Sequence, residues 1–252
     1  MKIDYPVPAL GPQMIALWKE AFGDSIEAIE GFFCTAYSPS RCLCLTEDSQ
    51  VLACLYWLDL RYQNQRFAYL YAVAVRKDCR SKGYGRKLLE YAHSQLAFRG
   101  YDAVMLYPGE ESLRNYYDNL GYTTCTTVSR FTCTAAEIPV SLQRIDRDTY
   151  ARLRRTYLPD TGVIQEGENI DFLENYVFFY SGEDFLLAAS AENGKLYCPE
   201  LLGNADAAPG VLKALHCKEG SFQTPGKDIP FAMMLPLRDG VQIPDYLGLV
   251  FD

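Results

Sequence analysis

Residues 73–85 read Val-Ala-Val-Arg-Lys-Asp-Cys-Arg-Ser-Lys-Gly-Tyr-Gly. A β-branched, apolar run breaks there into Arg80-x-x-Gly83-x-Gly85 and becomes a helix at once. A loop that curls at a helix start points several unpaired main-chain N–H groups at one spot and adds the positive end of the helix dipole. Such a junction suits a pyrophosphate. Gly83 and Gly85 remove Cβ atoms that would block an approaching phosphate, and Arg80 and Lys82 supply positive charge. Behind the loop Leu88, Leu89, Ala92 and Leu96 recur at helical spacing, Arg86, Lys87, Glu90 and Gln95 take the other side, and Gly100 ends the helix.

A Gly-x-Gly pair alone also marks ordinary tight turns, so the context decides. The chain has neither the Gly-x-Gly-x-x-Gly of a dinucleotide fold nor the Gly-Lys-Ser/Thr of a P-loop at this junction. About thirty residues on, Tyr101–Tyr107 reads as a buried strand, followed by Pro108-Gly109, a short polar helix over 111–119 and the run Tyr116-Tyr117-Asp118-Asn119-Leu120-Gly121-Tyr122. The loop after a strand ending in Val resembles the acetyl-CoA loop of the GNAT superfamily of N-acetyltransferases, and the later run is similar to that family's aromatic-Tyr-x-x-x-Gly-aromatic signature.

The resemblance implies acetyl-CoA as co-substrate. Main-chain groups of Val73 and Val75 would hold the pantetheine arm and the thioester carbonyl, and Arg80, Ser81, Lys82, Gly83, Tyr84 and Gly85 would form the loop. Tyr117 would be the general acid that protonates the departing thiolate. Taken without the resemblance, Tyr116 and Tyr117 read as aromatic packing on a helix in a chain of 19 tyrosines. Glu110 and Leu113 depart from the Asn and small residue that family members often carry there. The stretch Tyr69-Leu70-Tyr71-Ala72-Val73 lacks the carboxylate that many relatives use as general base, which leaves a water chain past Tyr71, Asp59 or Glu110 as candidates. His93, two turns into the helix, reads as a packing or surface residue.

The 252-residue chain is long enough for one large domain or two ordinary ones, and at 49% hydrophobic residues it can fill real cores. A formal net charge of −8 disfavours nucleic acid and anionic membranes as partners and mildly favours a cationic substrate such as an amine. Nine cysteines are scattered without a Cys-x-x-Cys pair beside only two histidines, so no metal site is expected and a reducing compartment is. Cys79, in the loop, is the thiol singled out for alkylation. No apolar core marks the N-terminus and no stretch reaches bilayer length, so the expected location is cytoplasmic.

The pattern predicts an α+β fold with a mixed sheet. Two helices over 11–37 break at Gly23-Asp24-Ser25, strands follow over 42–46, 51–60 and 67–75, and the order through about Cys133 matches the acetyltransferase fold. After Pro139 come helices over 144–157 and 168–178, a hairpin turning at Asn193-Gly194, a helix over 211–216 and a strand over 230–237. That order repeats the first half, and Leu196–Leu202 parallels Leu70–Val75. The expected organisation is a catalytic GNAT domain over 1–138 and a degenerate GNAT-like copy over 139–252, with an unrelated α+β extension as the competing account. The loop after Leu202 has no Arg and carries Pro209, which has no N–H for a phosphate, so the second copy should not bind coenzyme well.

The expected function is transfer of an acetyl group from acetyl-CoA to a small-molecule or peptide amine by direct attack. The second domain would wall the acceptor cleft or pair two protomers into a homodimer. A non-catalytic coenzyme-binding or regulatory module, and an acyltransferase with a longer acyl donor or an alcohol acceptor, stand as alternatives. In some two-domain relatives a C-terminal carboxylate reaches the active site, which draws attention to Asp252.

Overall fold

The structure is a computed structural model that describes residues 1–251; Asp252 lies outside the described residues. Along the chain run β1 (Lys2–Asp4), α1 (Gly11–Phe22), α2 (Ile26–Thr35), β2 (Cys42–Glu47), β3 (Gln50–Tyr62), β4 (Gln65–Val75), α3 (Tyr84–Phe98), β5 (Ala103–Leu106), α4 (Glu111–Asp118) and β6 (Thr123–Thr124). Then follow β7 (Thr127–Thr134), β8 (Gln143–Ile145), α5 (Arg147–Tyr157), α6 (Glu168–Leu173), β9 (Phe178–Ser181), β10 (Phe185–Glu192), β11 (Lys195–Gly203), α7 (Ala208–Ala214), β12 (Glu219–Pro225), β13 (Ile229–Pro230) and β14 (Met233–Pro236).

Two seven-stranded sheets result, one in the order β1-β2-β3-β4-β5-β14-β6 and the other β13-β7-β12-β11-β10-β9-β8. The compact units built on them do not part at a single point. One comprises Met1–Leu106, Glu110–Thr123 and Met234–Gln242; the other holds Tyr107–Gly109, Thr124–Met233 and the residues from Ile243 on. Residues 124–138, assigned from the sequence to the first domain, therefore lie in the second unit, where β7 pairs antiparallel with β12 from Val128 to Thr134. Residues 234–242, assigned to the second domain, lie in the first. Leu237 N–H donates to the Asp102 carbonyl at 2.9 Å, Arg238 ion-pairs with the Asp102 carboxylate, and Gln242 N–H donates to Gln65 at 2.9 Å.

The first unit is built around β3 and β4, whose long apolar runs are buried on both faces as central strands must be. Helix α1 buries Met14, Leu17 and Trp18 at i, i+3 and i+4, and ends at Gly23, whose φ of +78° suits glycine. Ser25 caps α2 by accepting from Ala28 N–H at 3.2 Å. Helix α3 buries Leu88, Leu89, Ala92 and Leu96, the stripe the sequence indicates.

In the second unit β10 sends Leu186 and Ala188 into one apolar cluster with Tyr150, Ile170 and Phe179, and Phe185, Leu187 and Ala189 into another with Val211, Leu212 and Phe222. The hairpin turns at Asn193 (φ +52°) and Gly194 (φ +75°), the left-handed pair of a type I′ turn. The helix expected over 144–157 starts later, because residues 143–145 form β8 and Asp146 caps α5 by accepting from Thr149 N–H at 2.8 Å. The helix expected over 168–178 stops at Leu173, and Phe178 opens β9.

Because β14 lies between β5 and β6, a chain ending at residue 138 would leave both strands with unpaired edges. Such a truncated chain is expected to show no cooperative thermal transition by circular dichroism; a sharp melt at the full-length temperature would contradict the strand assignment.

Candidate active site

Strand β4 pairs parallel with β5 only from Phe67 to Tyr69, although it runs on to Val75. Beyond that point its other neighbour slips too: Tyr71 faces Tyr56 and Ala74 faces Cys54, so Ala72 and Val73 together oppose Leu55 as a bulge. Ala72 carries the strain of it at φ +47°. Main-chain groups from Leu70 to Val75 thus have no ladder to β5, and Val73 lies within that freed segment.

The chain then crosses into the loop. Arg76 is held by Asp78 at 2.7 Å and by Gln50 at 3.1 Å, while Lys77 N–H donates to Glu20 at 2.8 Å. These contacts fix the upstream side of the loop to β3 and α1. Arg80 turns back so that its Nε donates to the Val75 carbonyl at 3.2 Å. Ser81 and Gly83 take left-handed φ values of +61° and +78°, and the first turn of α3 opens directly behind them.

A cavity of about 280 Å³ sits at this junction, lined by Val75, Arg80, Ser81, Gly83, Tyr84 and Gly85 among others. Six of the expected site residues therefore converge. Lys82 is exposed beside them and, like Val73, is not part of the lining. The two glycines serve different needs: a Cβ at Gly83 would meet nothing within 4 Å but would be strained by the backbone, whereas a Cβ at Gly85 would stand 3.2 Å from the Tyr116 hydroxyl. Cys79 also lines this cavity yet is only 5% exposed, so it is not the open thiol the sequence suggests.

Tyr117, 8% exposed, packs edge-on against Tyr122 and Tyr116, and the cavity lining holds Tyr116 in its place. Tyr122 shares a 2.7 Å hydrogen bond with His93 Nε2, which makes His93 a packing residue behind α4. Of the candidate bases, Asp59 lies opposite Ala68 at the far end of β4, where it accepts from Tyr101 at 2.5 Å and from Arg66 at 3.1 Å. Seven residues of strand, roughly 20 Å, separate that position from Val75. Glu110 is the exposed N-cap residue of α4 and accepts from Ser112 at 3.1 Å. Tyr71 stacks into an aromatic cluster with Trp18 and Phe32, ring centroids 5.3 and 5.4 Å away.

The second unit repeats the strand pattern but closes it. Cys198 and Pro199 bulge against β10, and the parallel pairing of β11 with β12 ends at Cys198. Pro199 stands where Val73 stands in the first sheet and has no N–H to offer. The gap beyond is occupied by the chain itself: Gln223 donates to the Pro199 carbonyl at 3.0 Å and to the Gly248 carbonyl at 2.9 Å. Glu200, fully buried, is held by Arg154 at 2.7 and 2.9 Å, by Tyr150 at 2.7 Å and by Tyr246 at 2.9 Å. Burial, with the Glu200 charge behind it, holds both phenols well above the ordinary tyrosine range. At the start of α7, a Cβ on Gly210 would come 2.5 Å from the Ile138 carbonyl, so residues 136–140 cover the position that is open in the first unit.

Among the described residues no group of three or more His, Cys, Asp and Glu side chains is placed to hold a metal, and no helix is long and apolar enough to cross a membrane.

Residues 9–125 match the family model described as an acetyltransferase (GNAT) domain. Among solved structures, GCN5-related N-acetyltransferases from Kribbella flavida and Anabaena variabilis are similar in fold. The first is 17% identical, covering 94% of this chain and 72% of its own at a TM-score of 0.72; the second is 12% identical, covering 94% and 73% at 0.73. A GCN5-related N-acetyltransferase from Sphaerobacter thermophilus, 13% identical, covers 97% of this chain and 98% of its own at 0.58. A search of curated proteins by sequence returns no match.

The His93 contact sets a pH dependence. Burial lowers the His93 pKa from 6.5 to about 4, so between these values the unfolded chain takes up a proton that the folded one refuses. Its contribution to stability is intact above pH 6.5 and is lost as pH falls toward 4, by up to ~3 kcal/mol. Urea midpoints at pH 7.5 and 4.5 are expected to differ less in His93→Gln than in the unaltered protein; an equal drop in both would assign the acid sensitivity elsewhere.

Proposed function

We propose that this protein, whose residues 9–125 match the model of an acetyltransferase (GNAT) domain, transfers an acetyl group from acetyl-CoA to an amine. The observation that carries the reading is the junction itself: a freed, bulged strand end that leads into a left-handed glycine turn and an open helix N-terminus, around a single small cavity. Those are the elements that a pantetheine arm and a pyrophosphate require, in the order in which the coenzyme would present them.

In this account the first-turn N–H groups of α3 and Arg80 hold the pyrophosphate, and the main chain of Val73 and Val75 lies along the thioester arm. The neutral amine attacks the carbonyl carbon, a C–N bond forms and the C–S bond breaks. Tyr117 delivers its phenolic proton to the leaving sulfur, a role general acids fill with about 10²–10⁴-fold effect. Strand β4 carries no acidic side chain, so the proton released by the amine passes to water. The formal charge of −8 favours an acceptor that is cationic in solution. The second unit we read as a degenerate copy of the same fold, in which Pro199, the Gln223 clasp and the covered start of α7 replace the coenzyme groove. That leaves one coenzyme per chain.

The burial of Tyr117 supports a second reading, a module that binds coenzyme without turning it over. Turnover of acetyl-CoA against a panel of amines separates the two. Tyr117→Phe is expected to lower kcat about a hundredfold with little change in the KM for acetyl-CoA, and an unchanged kcat would remove the acid role. Gly83→Val, strained at φ +78°, is expected to weaken acetyl-CoA binding by about tenfold or more. Tight binding with no product from any amine would favour the module.

A further inference from the structure

Of the two adjacent tyrosines on α4, the one the signature motif leaves unassigned is the one that faces the coenzyme cavity. Helical residues one apart point about 100° away from each other, so the doublet cannot serve one place. Tyr117 goes inward to Tyr122, whereas Tyr116, half-buried, lines the cavity with Val75, Arg80, Ser81, Gly83 and Gly85. No hydrogen bond to the Tyr116 hydroxyl is formed among the described residues.

Gly85 explains where that hydroxyl sits. Unlike Gly83, it has no positive φ, and as the second residue of α3 its backbone would accept any side chain. A Cβ there would stand 3.2 Å from the Tyr116 hydroxyl and 3.4 Å from Val75 Cγ2. What the glycine provides is room, and Tyr116 fills it. The phenol thereby lies over the first turn of α3, beside the N–H groups that an anion would use. The Arg86 guanidinium also lines the cavity, 3.5 Å from the Asn119 carbonyl and 3.6 Å from Glu90, and the lining includes Arg80, Ser81, Tyr84 and Tyr116 as further side-chain donors.

We propose that the Tyr116 hydroxyl donates a hydrogen bond to the pyrophosphate of the coenzyme, and that Gly85 is glycine because any larger residue would displace that hydroxyl. This rests on the coenzyme reading above. Burial raises the Tyr116 pKa, opposed in part by Arg86, so the phenol keeps at neutral pH the proton that it would donate to an anion. A bond to a charged acceptor is among the stronger ones, and losing it is expected to weaken affinity by about tenfold or more.

The test is calorimetric titration of the full chain with CoA and with ADP, which carries the pyrophosphate without the pantetheine arm. Four proteins are compared: unaltered, Tyr116→Phe, Gly85→Ala and the double variant. Tyr116→Phe should weaken both ligands by a similar factor at an unchanged melting temperature. Gly85→Ala should cost about as much by itself, yet add less than threefold on top of Tyr116→Phe, because the hydroxyl it displaces is already gone. Unchanged affinity in Tyr116→Phe would overturn the proposal, as would a loss for CoA but not for ADP. A full Gly85→Ala loss in the double variant would show that the glycine admits the phosphate directly, and would overturn it as well. Failure of the unaltered protein to bind CoA at all would instead remove the coenzyme reading on which the proposal stands.

Discussion

The parting of β4 from β5 beyond Tyr69 is the feature on which the candidate site depends. A parallel pair that stays in register satisfies its own main-chain groups and leaves nothing for a ligand. Here the bulge at Ala72 and Val73 and the end of the β5 ladder free a run of backbone, and the chain leads from that run through the loop over 76–83 into a helix start with no side-chain cap. Gly83 has no side chain with which to cap α3, so the first-turn donors stay available. The strained Ala72, the left-handed Ser81 and the glycine turn are costs that a structural connection would have no reason to carry, and they gather within a dozen residues of chain.

The second sheet shows what the same pattern becomes when a chain closes it. Its bulge at Cys198 and Pro199 falls in the same place relative to the antiparallel partner as the bulge at Ala72 and Val73, although the parallel ladder reaches Cys198 there and stops at Tyr69 in the first sheet. Yet the gap is taken by residues 246–249, clasped through Gln223 and Gln165, with the Arg154–Glu200 pair beneath. A buried pair of this kind adds little by itself, but deleting one partner strands the other's charge at a cost of about 3–5 kcal/mol. The second unit is in this sense built for permanence, and the first for occupancy.

Much of this was legible in the sequence for physical reasons. The α3 stripe of Leu88, Leu89, Ala92 and Leu96, the break at Gly23-Asp24-Ser25 and the Asn193-Gly194 turn all rest on local chemistry that the fold does not override. The loop was readable for the same reason, since a glycine in a left-handed position is a local demand. The destination of β7 and β14 was not, because strand partners are chosen by long-range packing and nothing in Thr127–Thr134 names its sheet. Nor was the role of Tyr116. Its neighbour matched a motif, while its own signal was a Gly85 some thirty residues away whose backbone had no need to be glycine. Asp59 was misleading, as an isolated carboxylate on a strand gives no hint that Arg66 and Tyr101 already hold it.

On the function proposed above, main-chain N–H groups at the start of α3, and not their counterparts before α7, receive the coenzyme. Amide hydrogen exchange read peptide by peptide, with and without saturating CoA, measures this directly. Exchange is expected to slow over residues 80–86 and to stay unchanged over 203–210. Protection over 203–210, or none over 80–86 under conditions in which CoA is bound, would contradict that assignment.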